Sequence, residues 1–313
     1  MANGTPDALS ATTRICAVYG RPVRHSASPA MQNAGIRALG LDWRYVACEV
    51  RPDDLDAALR GAAVMRFVGV NLTVPHKLIA LGLVDQLDQS ALKWGAVNTI
   101  RFEGRVGDGS WRPLSELDTS QVDEVRSHGF NTDADAIVRS LREDLGAGLR
   151  GCGAVVLGAG GAGRVAGLRL AAEGVGTLWL VNRTESKAHE IAAEIPRLFP
   201  RSPTRVVVGY PERSASVDLV VNATSAGLNP EDPLPFDPAR FDLSRAGSAY
   251  DMIYRPAETP FLAMARAAGV RTANGLGMLL YQGAAALEIW SGRAAPVDAM
   301  RSALWEHMYG KPA

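Results

Sequence analysis

The chain has 313 residues, 47% of them apolar and 21% charged, enough for two packed cores and too ordered a composition for a disordered chain. Thirty-three basic residues balance thirty-three acidic ones, so the positive excess of a nucleic-acid or anionic-membrane binder is missing. Three widely spaced cysteines, Cys16, Cys48 and Cys152, form neither a disulfide framework nor a zinc cluster, and five dispersed histidines make a metal site unexpected.

Met1–Thr13 lacks the basic start and apolar stretch of a signal peptide, and no apolar run reaches the length of a bilayer. A soluble, cytoplasmic protein is therefore expected. Residues 14–20 read as a strand ending in a Gly turn. The segment 28–40 reads as a helix, with Ser28 as N-cap, Pro29 at the first helical position and Gly40 closing it. A strand over 43–49 leads to a helix opening at Pro52, with Asp53 and Asp54 in its first turn. A third strand, 66–72, runs into Thr73-Val74-Pro75. This β-α-β-α-β order predicts a largely parallel sheet covered by helices.

The stretch 103–129 is polar and rich in Gly, Ser and acidic residues, with Trp111 and few aliphatics. It reads as an extended loop or hairpin excursion of weak structure, mobile and dispensable for folding. A second α/β unit begins at 152, where strands at 153–158, 177–182, 205–209, 217–222 and 248–253 alternate with helical segments in a doubly wound pattern. An Ala-rich helix over 278–291 and another over 296–309 end the chain.

The first strand of that second unit is followed at once by Gly158-Ala159-Gly160-Gly161-Ala162-Gly163 and then by a helix. Gly158 permits a tight turn, Gly160 lets a pyrophosphate approach the backbone, and Gly163 allows close helix–strand packing. The helix N-terminus offers free N–H groups to the phosphates. At the end of the next strand an NAD enzyme usually carries Asp or Glu; here stand Asn182-Arg183-Thr184, with Lys187 beyond. Two cations and a hydroxyl at a helix start suit the 2′-phosphate of NADP.

Further blocks carry polar chemistry. They are Gly20 to Pro29 (GRPVRHSASP), Asn71 to Lys77 (NLTVPHK), Gly95 to Thr99 (GAVNT) and Asn131-Thr132-Asp133, and later Asn222 to Ser225 (NATS), Asp251 to Pro256 (DMIYRP) and Gly275 to Gln282 (GLGMLLYQ). With the glycine loop these blocks, in this order over residues 14 to 293, closely resemble the signatures of the shikimate dehydrogenase family. The resemblance implies two α/β domains: a substrate domain, 14–133 plus 278–313, with a mainly parallel sheet, and a Rossmann-type NADP domain, 134–277, with the active site in the cleft between them. It implies Lys77 and Asp133 as the catalytic pair. Ser26 and Ser28 would hold the substrate carboxylate, and Asn71, Thr73, Asn98 and Gln282 the ring hydroxyls, with Tyr254 nearby. The glycine loop from Gly158 to Gly163, with Asn182, Arg183, Thr184, Lys187, Thr224 and Ser225, would bind NADP, and Gly275 and Met278 would lie along the nicotinamide.

The implied reaction is the reversible reduction of 3-dehydroshikimate to shikimate by NADPH. Hydride addition to a ketone leaves an alkoxide, which a lysine ammonium held by a carboxylate can stabilise and protonate. Alternatives are a quinate or aminoshikimate-type dehydrogenase of the same superfamily, or a non-catalytic dinucleotide sensor. The partner is a small molecule, and the assembly a monomer or homodimer. Two departures from the family stand out: Ala136 replaces the usual Gly three residues after the catalytic Asp, and the 103–129 excursion is longer than usual.

Overall fold

The computed structural model describes residues 9–310 apart from Pro230, so the part of Met1–Thr13 before Leu9 lies outside the described residues. Two compact units divide the chain: Met1–Asp133 with Leu280–Ala313, and Ala134–Leu279.

The first unit opens with β1 (Arg14–Gly20), α1 (Ser28–Ala38), β2 (Trp43–Glu49), α2 (Leu55–Val64) and β3 (Gly69–Leu72). Pro52 heads a 3₁₀ turn that leads into α2, and Gly40, at φ +65°, ends the α1 region as expected. The third strand begins three residues later than expected, because Arg66 adopts φ +60° and Phe67 still donates back to the Ala62 carbonyl. Ser28 is not an N-cap by hydrogen bond. The helix begins at Ser28 itself, Ala27 occupies the cap position without a side-chain bond, and the Ser28 N–H donates to the Ser26 hydroxyl at 3.3 Å.

The unit continues with α3 (His76–Ile79), β4 (Gln86–Leu87), α4 (Gln89–Trp94), β5 (Thr99–Arg105), β6 (Trp111–Pro113) and β7 (Val125–Phe130). The sheet is seven-stranded, in the order β2-β1-β3-β5-β7-β4, with β6 on β5. The β-α-β-α-β half is parallel as its connections require, and β4 lies parallel to β7. β5 runs antiparallel to β3, β6 and β7, which makes the sheet mixed.

The excursion differs from its expectation: it is built into the unit. β5 and β7 pair from Thr99↔Phe130 to Gly104↔Val125. Leu114 and Val122 are buried in the same core as Phe102 and Val70, and a Cβ on Gly104 would stand 2.6 Å from Val122. The buried Glu103 carboxylate is bonded by Arg101, by Arg126 at 2.8 Å and by His128 at 3.1 Å. Arg126 also lies over the Trp111 ring, 4.5 Å from its centroid. What reads as a polar loop is a set of charges that satisfy one another.

The second unit contains α5 (Asp133–Leu145, whose first residue belongs to the other unit), β8 (Gly153–Leu157), α6 (Gly161–Glu173), β9 (Thr177–Val181), α7 (Glu185–Leu198) and β10 (Arg205–Val208), then β11 (Val217–Asn222), β12 (Ala246–Asp251), α8 (Pro260–Ala267) and β13 (Arg271–Asn274). Its six strands pair in the order β10-β9-β8-β11-β12-β13, all parallel, which is the doubly wound dinucleotide-binding topology. Strands buried on both faces explain the continuous apolar runs Ala154–Leu157 and Leu178–Val181. Ala136 is buried inside α5 and sits there as an ordinary helical residue.

The chain ends with α9 (Leu276–Ser291) and α10 (Val297–Tyr309), and α10 packs on α1. Trp290 is fully buried beside Gly69, where a Cβ would stand 2.0 Å from its indole nitrogen, and that nitrogen donates to the Ile100 carbonyl at 2.9 Å. The three cysteines are free thiols, Cys16 and Cys152 buried and Cys48 partly so. Among the described residues no helix is long and apolar enough to cross a membrane, and no group of His, Cys, Asp and Glu could hold a metal ion.

Candidate active site

In the first unit β3 ends in Asn71 and Leu72, and the following Thr73–Pro75 turn launches α3, which carries Lys77. β7 ends at Phe130 and delivers Asn131, Thr132 and Asp133. The two ends meet: Lys77 Nζ lies 2.7 Å from Asp133 Oδ2, with the side chains 32% and 14% exposed. A charge-assisted bond at that distance orients the ammonium, and its partial exposure leaves donors free for a ligand.

The pair rests on a buried polar network. Asn98 accepts from the Thr132 N–H at 2.8 Å and donates to the Thr132 hydroxyl at 2.9 Å, so its amide grips the backbone next to Asp133. Asn71 donates to the Asn98 carbonyl at 3.2 Å and to the Thr99 hydroxyl at 3.0 Å, and accepts from the Tyr45 hydroxyl at 2.8 Å. Both Asn71 donors are thereby used within the protein, so this residue can offer a ligand only its carbonyl oxygen, whereas Asn98 keeps one N–H. Burial pushes the Tyr45 phenol well above its ordinary pKa, and a Ser28 hydroxyl bond opposes that rise. Tyr45 thus ties Ser28, on α1, to Asn71, on β3.

Ser26 is partly exposed before α1, and Thr73 is partly exposed with its methyl near Gly20. Gln282, on α9, is partly buried; the next residue's carbonyl accepts from the buried Gln32 of α1 at 2.9 Å. His76 is buried beside Lys77 with one ring nitrogen 3.0 Å from the Val50 carbonyl, and burial lowers its pKa, which keeps it neutral. Tyr254 lies in the second unit, just past β12. The first unit therefore joins Ser28, Asn71, Asn98, Lys77 and Asp133 through bonds, and Tyr254, Gly275 and Met278 belong to the other unit.

In the second unit Gly158 takes φ +105°, and a Cβ there would stand 2.8 Å from Thr224 and 2.9 Å from the Ala223 carbonyl. On Gly163 a Cβ would lie 2.0 Å from the Gly158 carbonyl, so only glycine lets α6 come this close to the turn. Beside Gly160 and Gly161 a Cβ would meet no protein atom within 4 Å, which leaves open backbone at the start of α6. Asn182 accepts from the Ala159 N–H at 2.9 Å and clamps the loop. Gly158, Gly160, Arg183, Thr184, Lys187, Thr224 and Ser225 border a cavity of about 670 Å³. Bare backbone, an open helix start and two exposed cations suit a dinucleotide carrying an extra phosphate.

Gly275 sits against Met252, whose carbonyl oxygen a Cβ would approach to 2.1 Å. The Asp251 carboxyl, raised by burial, accepts from Thr259 at 2.6 Å, Asn222 at 3.0 Å and the Ile253 N–H at 3.0 Å, tying the ends of β11 and β12 together.

Residues 18–100 match the family model described as the shikimate dehydrogenase substrate binding domain, and 275–304 that of the shikimate 5′-dehydrogenase C-terminal domain. The chain is 39% identical over 301 residues to the shikimate dehydrogenase (NADP(+)) of Desulforamulus reducens, a match spanning 95% of this chain and 96% of the relative. The chain belongs to the shikimate dehydrogenase family. Among solved members, shikimate 5-dehydrogenase from Thermus thermophilus, in complex with NADP(H) and shikimate, is 35% identical, with a TM-score of 0.75 over 94% of this chain and 99% of that one. Quinate dehydrogenase from Corynebacterium glutamicum, in complex with NAD, is 28% identical, with a TM-score of 0.78 over 94% of this chain and 99% of that one.

Within this member of the shikimate dehydrogenase family, sequence reasoning passed over Tyr45 and Gln32, and gave Thr99 no role of its own. Tyr45 lies in a strand among apolar residues, where an aromatic reads as core; only its hydroxyl bond reveals another part. Thr132 stood inside a quoted block without a role, and its double bond to Asn98 supplies one.

Proposed function

We propose that the chain is an NADP-dependent shikimate dehydrogenase that reversibly reduces the C3 ketone of 3-dehydroshikimate to the alcohol of shikimate. The observation that carries this reading is the 2.7 Å Lys77–Asp133 pair, partly exposed at the meeting of two strand ends. The relatives' names and the nucleotide cavity support it. In this reading residues 14–133 with 278–313 hold the substrate, and 134–277 hold NADP.

NADPH supplies the hydride when bound. Lys77 donates to the ketone oxygen as negative charge grows there and gives up its proton to the product alcohol; Asp133 holds the ammonium in place and favours its charged form. Ser26 and Ser28 take the substrate carboxylate. Thr73, Asn98 and Gln282 bind ring hydroxyls, Asn71 accepts from one, and Tyr254 borders the ring. The glycine loop from Gly158 to Gly163 receives the pyrophosphate with Asn182 fixing its shape, and Thr184, Thr224 and Ser225 add polar contacts. Arg183 and Lys187 hold the 2′-phosphate, and Gly275 and Met278 line the nicotinamide. Three free thiols suit a reducing compartment such as the cytoplasm, where the enzyme would act as a monomer or homodimer.

The decisive experiment is an activity panel of shikimate, quinate and their ketones with NADP(H) and NAD(H). Highest kcat/KM with shikimate and NADP supports the proposal, whereas a preference for quinate would favour the alternative suggested by the Corynebacterium relative. In the same panel Arg183→Ala should weaken NADP by about ten- to a hundredfold, the worth of one charge-assisted contact, and leave NAD nearly unchanged. Equal losses for both cofactors would remove Arg183 from the 2′-phosphate site.

The carboxylate anchor has its own test. Replacing both Ser26 and Ser28 by Ala should raise KM for shikimate strongly, with a smaller fall in kcat. An unchanged KM in the folded double variant would reduce these serines to shaping the start of α1.

A further inference from the structure

The nucleotide cavity has a second wall that the glycine loop and the Asn182–Lys187 segment do not supply. It is formed by Tyr210 and by the segment from Asp232 to Asp237 with Arg240. That segment is firmly seated. Phe236 is buried and meets Phe241 and Phe261 edge-on, with ring centroids 5.8 and 6.3 Å apart. The Asp237 N–H donates to the Tyr210 hydroxyl at 2.8 Å, and Arg240 lies over the Tyr210 ring, 4.6 Å from its centroid.

The charges of this wall are unequal in their freedom. Asp232 accepts from the Gly227 and Asn229 N–H groups, and Asp237 accepts from that of Ala239, so both carboxylates are occupied in holding backbone turns. Arg240 makes no ion pair among the described residues; the phenol ring beneath it fixes its place. A guanidinium resting over an aromatic ring at the edge of a ligand cavity can serve as a stacking surface for a nucleobase.

Strand order says which part of a dinucleotide would reach it. The glycine loop follows β8, Arg183 follows β9, and Tyr210 follows β10 by two residues, through Gly209 at φ +114°. Each step outward across the sheet is about 4.8 Å. Pyrophosphate at β8 and ribose 2′-phosphate at β9 therefore leave the base to β10. Resting on the nucleotide reading above, we propose that Tyr210 and Arg240 form the adenine platform of the cofactor site, with Arg240 serving as a stacking plane and not as a phosphate ligand.

Equilibrium dissociation constants for NADPH and NADH, measured by calorimetry on the full chain, test this. Arg240→Ala and Tyr210→Ala should weaken both dinucleotides by the same factor, about five- to fiftyfold, as expected for a lost base-stacking surface. Tyr210→Phe, which keeps the ring, should stay within about threefold of wild type for both. Affinities within a factor of about two of wild type in Arg240→Ala would overturn the platform, as would a loss confined to NADPH. Arg240 is exposed, so its variant decides the matter even if Tyr210→Ala fails to fold. Arg183→Ala serves as the control. A selective NADPH loss there, with no effect in Arg240→Ala, defeats the platform alone; unchanged binding in both variants defeats the nucleotide reading as well.

Discussion

Lys77→Met should lower kcat by about 10²–10⁴-fold, the usual contribution of a positioned general acid or base. The side chain lies 2.7 Å from Asp133 and remains one-third exposed, so its charge is directed and still available. Methionine keeps the length and most of the packing of the stem and removes only the charged donor, so folding and cofactor affinity should hardly move. Asp133→Asn should lower kcat as well, because the amide no longer favours or orients the ammonium. The double variant should lose less than the two single losses combined, since the pair acts as a unit. Near-normal turnover of Lys77→Met in a steady-state assay would sink the proposed chemistry.

Glu103→Gln should destabilise the folded chain by about 3–5 kcal/mol, the range for removing one partner of a buried ion pair. Burial alone would raise the Glu103 pKa, but bonds from His128, Arg101 and Arg126 outweigh it and bring the value down to about 2. A carboxylate depressed in the folded state contributes stability above its unfolded pKa and loses it as pH falls toward the folded value. Wild-type melting temperature should therefore drop as pH falls from about 4.5 toward 2, and Glu103→Gln should show a flatter acid limb. Parallel acid limbs in thermal unfolding scans of the two proteins would contradict this.

Much of the second unit was readable in advance, because strands buried on both faces must be unbroken apolar runs and the glycine loop falls between such a run and a helix. The excursion was not readable. Its contribution to the core comes from Leu114 and Val122, too far apart to show a period, and its charges pair with one another only once β5 and β7 align. Lys77 and Asp133 stood out as an expected catalytic pair through the blocks around them, and their 2.7 Å contact joins residues 56 positions apart. What the sequence could not convey was how the hydrogen-bonding capacity of Asn71 is used, since that depends on Tyr45 and Thr99 from other strands. Ser28 carried every mark of an N-cap, yet the helix starts one residue early and Ser26 takes the bond. Tyr210 and Arg240 belong to no motif, and only their stacking at the cavity edge distinguishes them.

The first unit is discontinuous, and that has a bearing on how the chain is born. Residues up to Asp133 leave the ribosome long before Leu280–Ala313, which supply the indole beside Gly69 and the Leu287 and Met300 side chains against Gly35. Until they arrive, the α1 face of Met31 and Gly35 lacks its cover, and the first sheet lacks Trp290. Ala134–Leu279, by contrast, carries its whole six-stranded sheet in one stretch. The order in which domains usually mature during synthesis does not carry over simply to this chain: completion of the first unit waits on residues made after the whole of the second.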